Sequence, residues 1–168
     1  ALKAASWSLA MVLVTQIGGL VQTAVASTAV AGRDSGLAVA SVAAAAIAWL
    51  IFMLPHSVVT VSIATAYFTR MSQHAANDKL DEFVKDLTTG LRVIALVSVI
   101  STATLMMLAY SIARVFVGEY PATLALGNVI VALMVGLVPF SVVYMIQRAF
   151  FALEDTKSPF IFTSIQIA

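Results

Sequence analysis

Cysteine is absent from the 168 residues, so no disulfide framework and no cysteine-based metal or redox centre is available. Charge is nearly as scarce: nine basic and eight acidic residues leave a net charge of +1. That balance provides no basic face, and nucleic acid is not expected as a partner. The two histidines, His56 and His74, stand on opposite sides of Arg70 and are read as unpaired with any acid. H-E-x-x-H, G-x-S-x-G and G-x-x-x-x-G-K-[ST] are all missing, as is any glycine-rich phosphate loop. No catalytic residue, metal site or cofactor is expected, and ATP hydrolysis by this segment is set aside.

What is present is apolar. Hydrophobic residues make up 61% of the chain and the mean hydropathy is +1.02, far outside the range of soluble domains. The expectation is an all-α integral membrane protein, a polytopic bundle of transmembrane helices. Charged residues divide it into spans at 4–32, 36–69, 93–113 and 121–147, with a fifth opening at 159 and cut at 168. The four complete ones reach the ~20 residues that a spanning helix needs. The first is too long for the apolar core of a signal peptide. The chain has no initial methionine and stops inside the apolar run FIFTSIQIA, so it reads as an excerpt of a longer membrane protein.

The segments between spans alternate sides. One side collects Lys3, Arg70, Lys79, Lys85, Arg92, Arg148 and Lys157; the other collects Arg33 and Arg114. The positive-inside rule puts the richer set in the cytoplasm. Within the 70–92 segment, Leu80, Phe83, Val84, Leu87 and Leu91 recur at helical spacing. A short amphipathic helix on the cytoplasmic surface, running into the third span, is predicted there, capped by Asn77 or Asp78, with Asp81 and Glu82 in its first turn.

From Ser35 to Thr69 no acidic or basic side chain occurs, and Pro55 lies inside the run. A helix of that length measures about 50 Å, against a hydrocarbon core of roughly 30 Å. Pro55 removes a backbone donor and marks the expected kink. His56, Ser57, Thr60 and Ser62 stand beside it to satisfy freed backbone groups. Gln16 and Gln22 in the first span, with His56 and Ser57, are the candidates for a polar substrate path. Interhelical hydrogen bonding for the glutamines, and a kink partner for His56, are the plainer readings. The small residues Gly18, Gly19, Ala43 to Ala46, Gly127 and Gly136 suit close helix approach. Pro55-His56-Ser57-Val58-Val59 and Pro139-Phe140-Ser141-Val142-Val143 share the pattern P-x-S-V-V. An internal repeat, common in transporters, and chance recurrence both explain it.

Arg70 and Arg148 close two spans on the cytoplasmic side, where arginine either snorkels to headgroups or binds phosphate. After Arg148 the chain reads RAFFALEDTKSPF. One helix ends there, Asp155 or Ser158 can cap the next, and Pro159 suits a first helical position. Asp155 and Lys157 are close enough for a charge pair at this junction.

RAFFALEDTKSPF resembles the R-x-F-Y-A-L-x-D-T-K-T-P-F signature of the MviN/MurJ family of lipid II flippases. LPHSVVTVSIATAYFTRMS, from Leu54 to Ser72, is similar to the same family's L-P-x-G-[VL]-x-x-x-A-x-[AG]-T-x-x-x-P-x-[LM]-S segment, in a form most like actinobacterial members. The resemblance implies the MATE-like fold of the multidrug/oligosaccharidyl-lipid/polysaccharide exporter superfamily. It implies a piece of the carboxy-terminal lobe, multi-pass in the bacterial cytoplasmic membrane. It implies transport of lipid-linked peptidoglycan precursor to the outer leaflet by alternating access, in cell-wall biosynthesis. Expected partners are lipid II or a similar lipid-linked substrate, membrane lipids, and cell-wall synthesis or division proteins. A related exporter of drugs or other lipid-linked saccharides, or a membrane scaffold recruiting cell-wall synthesis proteins, are the alternatives. Family members place an Asp-Arg pair and a Glu shortly before the proline; Trp49, Leu50 and Met53 occupy those positions here.

Overall fold

The computed structural model describes residues 2–31, 42–155 and 157–167. Arg33, Asp34 and Thr156 lie outside them. The described residues are helical throughout and contain no strand: α1 is Leu2–Ala31, α2 Val42–Pro55, α3 Ser62–Ala76, α4 Leu80–Phe116, α5 Tyr120–Val135, α6 Leu137–Ala152 and α7 Lys157–Ile167. Among them, Val42–Ala76 and Leu80–Phe116 are each long and apolar enough to cross a bilayer. The α5–α6 pair makes a third such crossing if its bend is counted within one span. This is an all-α membrane architecture.

Pro55 changes the helix without ending it. Its ring nitrogen has no proton to donate and crowds the preceding turn. Over His56–Val61 the backbone widens to a π-helical register, in which hydrogen bonds skip one extra residue. Ser57 Oγ donates to the Leu54 carbonyl at 3.1 Å, supplying local polar compensation. Regular α-helix resumes at Ser62 and runs through Arg70 to Ala76.

A second irregularity divides what composition suggested was one span at 121–147. α5 and α6 meet at Gly136 with a 42° bend. The Gly136 N–H tightens onto Leu133 O at 2.9 Å, and the helical pattern restarts with Phe140 N–H on Gly136 O at 3.0 Å. Pro139, three residues into the new helix, has no N–H to offer Val135, so the old ladder cannot continue through this point.

The 70–92 segment is divided between two helices. Its first part completes α3, and its last part opens the unbroken 37-residue α4. Asp81 and Glu82 do occupy the first turn of α4, but Lys79 is the N-cap and makes no side-chain capping bond. The turn between them is a helix C-cap: Lys79 N–H bonds His74 O at 2.9 Å and Asp78 N–H bonds Ala75 O at 3.2 Å. Asp78 takes the left-handed conformation there, φ 56°, where glycine is usual. Glu154 repeats the device after α6, with φ 58° and Asp155 N–H on Phe150 O at 3.0 Å.

α4 is the axis of the bundle. Its carboxy-terminal half, with Ala109 and Ala113, packs with Ala48, Ile51 and Phe52 of α2 and Leu126, Ile130 and Met134 of α5. Its amino-terminal half, with Phe83 and Ile94, packs with Ala64 and Met71 of α3 and Met145, Ala149 and Ala152 of α6. Lipid is as apolar as these side chains, so close packing rather than water exclusion must hold the helices together. Small residues provide the approaches: Ala48, Ala64, Ala109 and Ala113 are wholly buried. Gly127 lies under the Tyr110 ring. Gly19, by contrast, has no atom within 4 Å of where a Cβ would stand, and Ala43 and Ala46 are exposed.

Gly90 gives the sharpest packing test. A Cβ there would meet Met145 Cε at 2.6 Å and the Tyr67 ring at 3.3 Å. Gly90→Leu should pry α4 from α3 and α6, costing about 1–3 kcal/mol, read as a lower melting temperature of the purified full-length protein. Gly90→Ala should be milder, because the methionine methyl can swing aside.

Candidate functional site in the polar waist

Between the two apolar clusters lies a level of buried polar side chains. His56 and Thr60 come from the π-helical segment and Ser141 from the second turn of α6; all three are at most 5% exposed. Thr60 Oγ1 donates to Ser141 Oγ at 3.0 Å. Ser141 Oγ stands 3.5 Å from His56 Nδ1, at the outer limit for a hydrogen bond. Ser141 Oγ, accepting from Thr60, can in turn donate to Nδ1 or accept from it, according to the imidazole tautomer. The imidazole is also gripped by aromatic edges, its centroid 4.7 Å from Phe140 and 5.1 Å from Tyr144.

These contacts put the two P-x-S-V-V motifs face to face. His56 of the first touches Phe140 and Ser141 of the second. Each motif also sits at an irregularity of its own helix. The recurrence therefore corresponds to a structural pairing.

An aromatic row extends the waist in both directions. Trp49 stacks on Phe52 at 5.2 Å, and Phe52 meets Phe140 edge-on at 5.4 Å. Beyond His56, Tyr144 leads to Arg148, whose Nη2 and Nε donate to the Tyr144 oxygen at 2.6 and 3.2 Å. The positions where the resemblance leads one to look for Asp-Arg and Glu thus carry uncharged, apolar side chains. Trp49 is in the row, Leu50 is exposed, and Met53 packs against the first cluster.

The path candidates are not gathered together. His56 is buried, Ser57 is exposed one residue away and engaged with the Leu54 carbonyl. Gln16 is exposed on α1, and the Gln22 side chain lies outside the described residues. Thr60 and Ser141 complete the cluster. The signals for them were Thr60 beside Pro55 and Ser141 in the repeated motif, but only folding shows that they meet.

The charged end is organised separately. Arg70 pairs with Asp86 at 2.8 Å. His74 Nδ1 lies 3.2 Å from Glu82, and its Nε2 lies 3.2 Å from Asp86 Oδ2. The second contact is close without being aligned, since buried Asp86 Oδ2 has no hydrogen-bond partner. The network staples α3 to α4. Phe68, two residues before Arg70, faces Arg148 at 5.9 Å, so the α3–α4 turn and the α6–α7 junction share one end of the bundle.

At that junction Asp155 caps α7. Its carboxylate accepts from Ser158 Oγ at 2.6 Å and from the Lys157 and Ser158 N–H groups at 2.9 and 3.3 Å. Pro159 is buried within the first turn rather than opening it. Lys157 meets Asp155 through its backbone; among the described ion pairs none joins their side chains. The Ser158 side-chain bond, then the Ser158 amide, hold the Asp155 carboxyl below its ordinary value. A depressed value means the cap is complete at neutral pH and is lost as the carboxyl protonates. Protection of the Lys157 and Ser158 amides, measured against their intrinsic exchange rates, should therefore persist through the ordinary carboxylate range and fall only below it. Asp155→Ala should remove that protection already at neutral pH.

The sequence profile described as lipid II flippase MurJ matches residues 1–168. A protein of Rhizobium meliloti (strain 1021), described as a probable lipid II flippase MurJ, is 26% identical over 159 residues, covering 92% of this chain. The chain spans 28% of the length of that relative. No solved structure matches. With the family profile matching all its residues, this membrane chain belongs to the lipid II flippase MurJ family.

Proposed function

We propose that the chain is a carboxy-lobe segment of a non-enzymatic transporter. The full-length protein would carry lipid II from the inner to the outer leaflet of the bacterial cytoplasmic membrane during cell-wall synthesis. The observation that carries this reading is the family match across every residue. The cytoplasmic end would be the one bearing Arg70, Arg148, Asp155 and Lys157, because the basic residues concentrate there.

The mechanism supported best is alternating access with this segment flexing at its waist. The π-helical segment and the Gly136 bend lie within about one and a half turns of each other across the His56–Ser141 contact. Such irregularities absorb backbone change while the flanking helices move as rigid bodies. Interhelical hydroxyl bonds there are exchangeable, unlike the close Ala and Gly packing on either side. The same geometry serves any exporter of this superfamily, so substrate choice would rest with the rest of the protein.

A second reading is a membrane scaffold that recruits cell-wall synthesis or division proteins. The apolar side chains at Trp49, Leu50 and Met53 favour it, because these three positions then offer no arginine for a diphosphate. Growth of a flippase-depletion strain carrying the full-length protein separates the two. Rescue in the absence of any other flippase supports transport; binding to synthesis proteins without rescue supports the scaffold.

A further inference from the structure

Arg148 is the half-buried cation that the ion pairs leave out. Among the described residues, Arg70 and Lys79 meet carboxylates, whereas no carboxylate comes within ion-pair distance of Arg148. Its guanidinium is held from one side instead. Nε and Nη2 both donate to the Tyr144 oxygen, and the central carbon lies 5.1 Å from the Tyr144 ring and 5.9 Å from the Phe68 ring. A guanidinium has five N–H donors. One phenol oxygen uses two of them, leaving the terminal Nη1–Nη2 edge, which suits two oxygens of one phosphate.

Two aromatic faces and a hydroxyl fix the plane of this fork before any ligand arrives, which lowers the ordering cost of binding. Neither contact neutralises the positive charge. The residue sits one turn before α6 ends at Ala152, about 6 Å along the axis, and Asp155 and Lys157 follow directly. That depth is the boundary between apolar packing and the charged end, where lipid phosphates lie.

We propose that Arg148, oriented by Tyr144 and Phe68, binds the phosphate of a lipid headgroup at the charged end of the bundle. Two lipids supply that chemistry: a bulk anionic phospholipid, through its phosphodiester, or an isoprenoid lipid, through its diphosphate. The inference does not depend on which lipid the full-length protein moves.

The test uses purified full-length protein in neutral detergent, titrated calorimetrically with dioctanoyl phosphatidylglycerol and, separately, with farnesyl diphosphate. Arg148→Gln should weaken at least one of them by about tenfold. Arg148→Lys keeps the charge and loses the fork, and Tyr144→Phe keeps the ring and releases the fork; each should weaken the same probe several-fold. Loss confined to farnesyl diphosphate assigns the site to a diphosphate lipid. Loss on phosphatidylglycerol, alone or with the other, assigns it to bulk headgroups. Melting temperatures of the Lys and Phe variants within about 2 °C of the parent exclude misfolding as the cause. A parent that binds neither probe, or variants that bind both as the parent does, would mean that Arg148 holds no lipid phosphate, and the proposal falls.

Discussion

Ser141→Leu should abolish rescue by the full-length protein and destabilise it by about 3 kcal/mol. Two penalties combine. Ser141 is wholly buried, and a leucine there must displace His56 or Thr60, an overpacking cost of about 1–3 kcal/mol. It also removes the acceptor of the Thr60 hydroxyl and the neighbour of His56 Nδ1, and a buried polar group left unpaired costs about 1–3 kcal/mol. Ser141→Ala isolates the second penalty and should cost about 1 kcal/mol with partial rescue. Thermal unfolding of the purified protein and growth of the depletion strain measure the two effects. Full rescue by Ser141→Leu at normal protein levels would show that the waist is not packed in the working protein.

Pro55→Ala should have the opposite signature, with stability kept or raised and transport lost. Proline in a helix interior costs about 3 kcal/mol relative to alanine, so the helix itself gains. With a donor restored at position 55 and the ring removed, the backbone is freer to return to ordinary α bonding. Removing one residue's worth of register rotates the two helix halves by about 100° relative to each other. His56 and Thr60 then no longer face Ser141. Transport should fall at least about tenfold, a barrier change near 1.4 kcal/mol. The absence of cysteine from this segment makes the geometry directly readable. A Thr60→Cys and Ser141→Cys pair should cross-link readily with Pro55 in place and poorly with Pro55→Ala. Equal cross-linking in both would detach the register from Pro55.

Much of this fold is legible in the sequence because membrane helices obey simple rules. Long uncharged runs point to the apolar bodies of α2–α3 and α4, since lipid requires backbone groups to be satisfied within the segment. Pro55 marks the disturbed register and Asp155 the cap of α7, because each acts on backbone groups only one turn away. Other features escape the sequence for the same physical reason in reverse. The Gly136 bend combines a glycine with a proline three residues on, a weak local signal that Thr102 reinforces from another helix with a long, 3.4 Å contact to Met134 O. The meeting of His56 with Ser141 joins residues 85 apart, which no local pattern encodes. The repeated P-x-S-V-V motif was the one hint, and it named both partners without saying that they touch.

The leaflet distribution of lipid II tests the central claim most directly. Cells depleted of their own flippase would express the full-length protein, either intact or with Ser141→Leu, and lipid II exposed at the outer face would be quantified. As a flippase, the intact protein should restore outer-leaflet lipid II, and Ser141→Leu, at matched protein levels, should not. Lipid II that stays on the inner leaflet with the intact protein present in the membrane would contradict that claim.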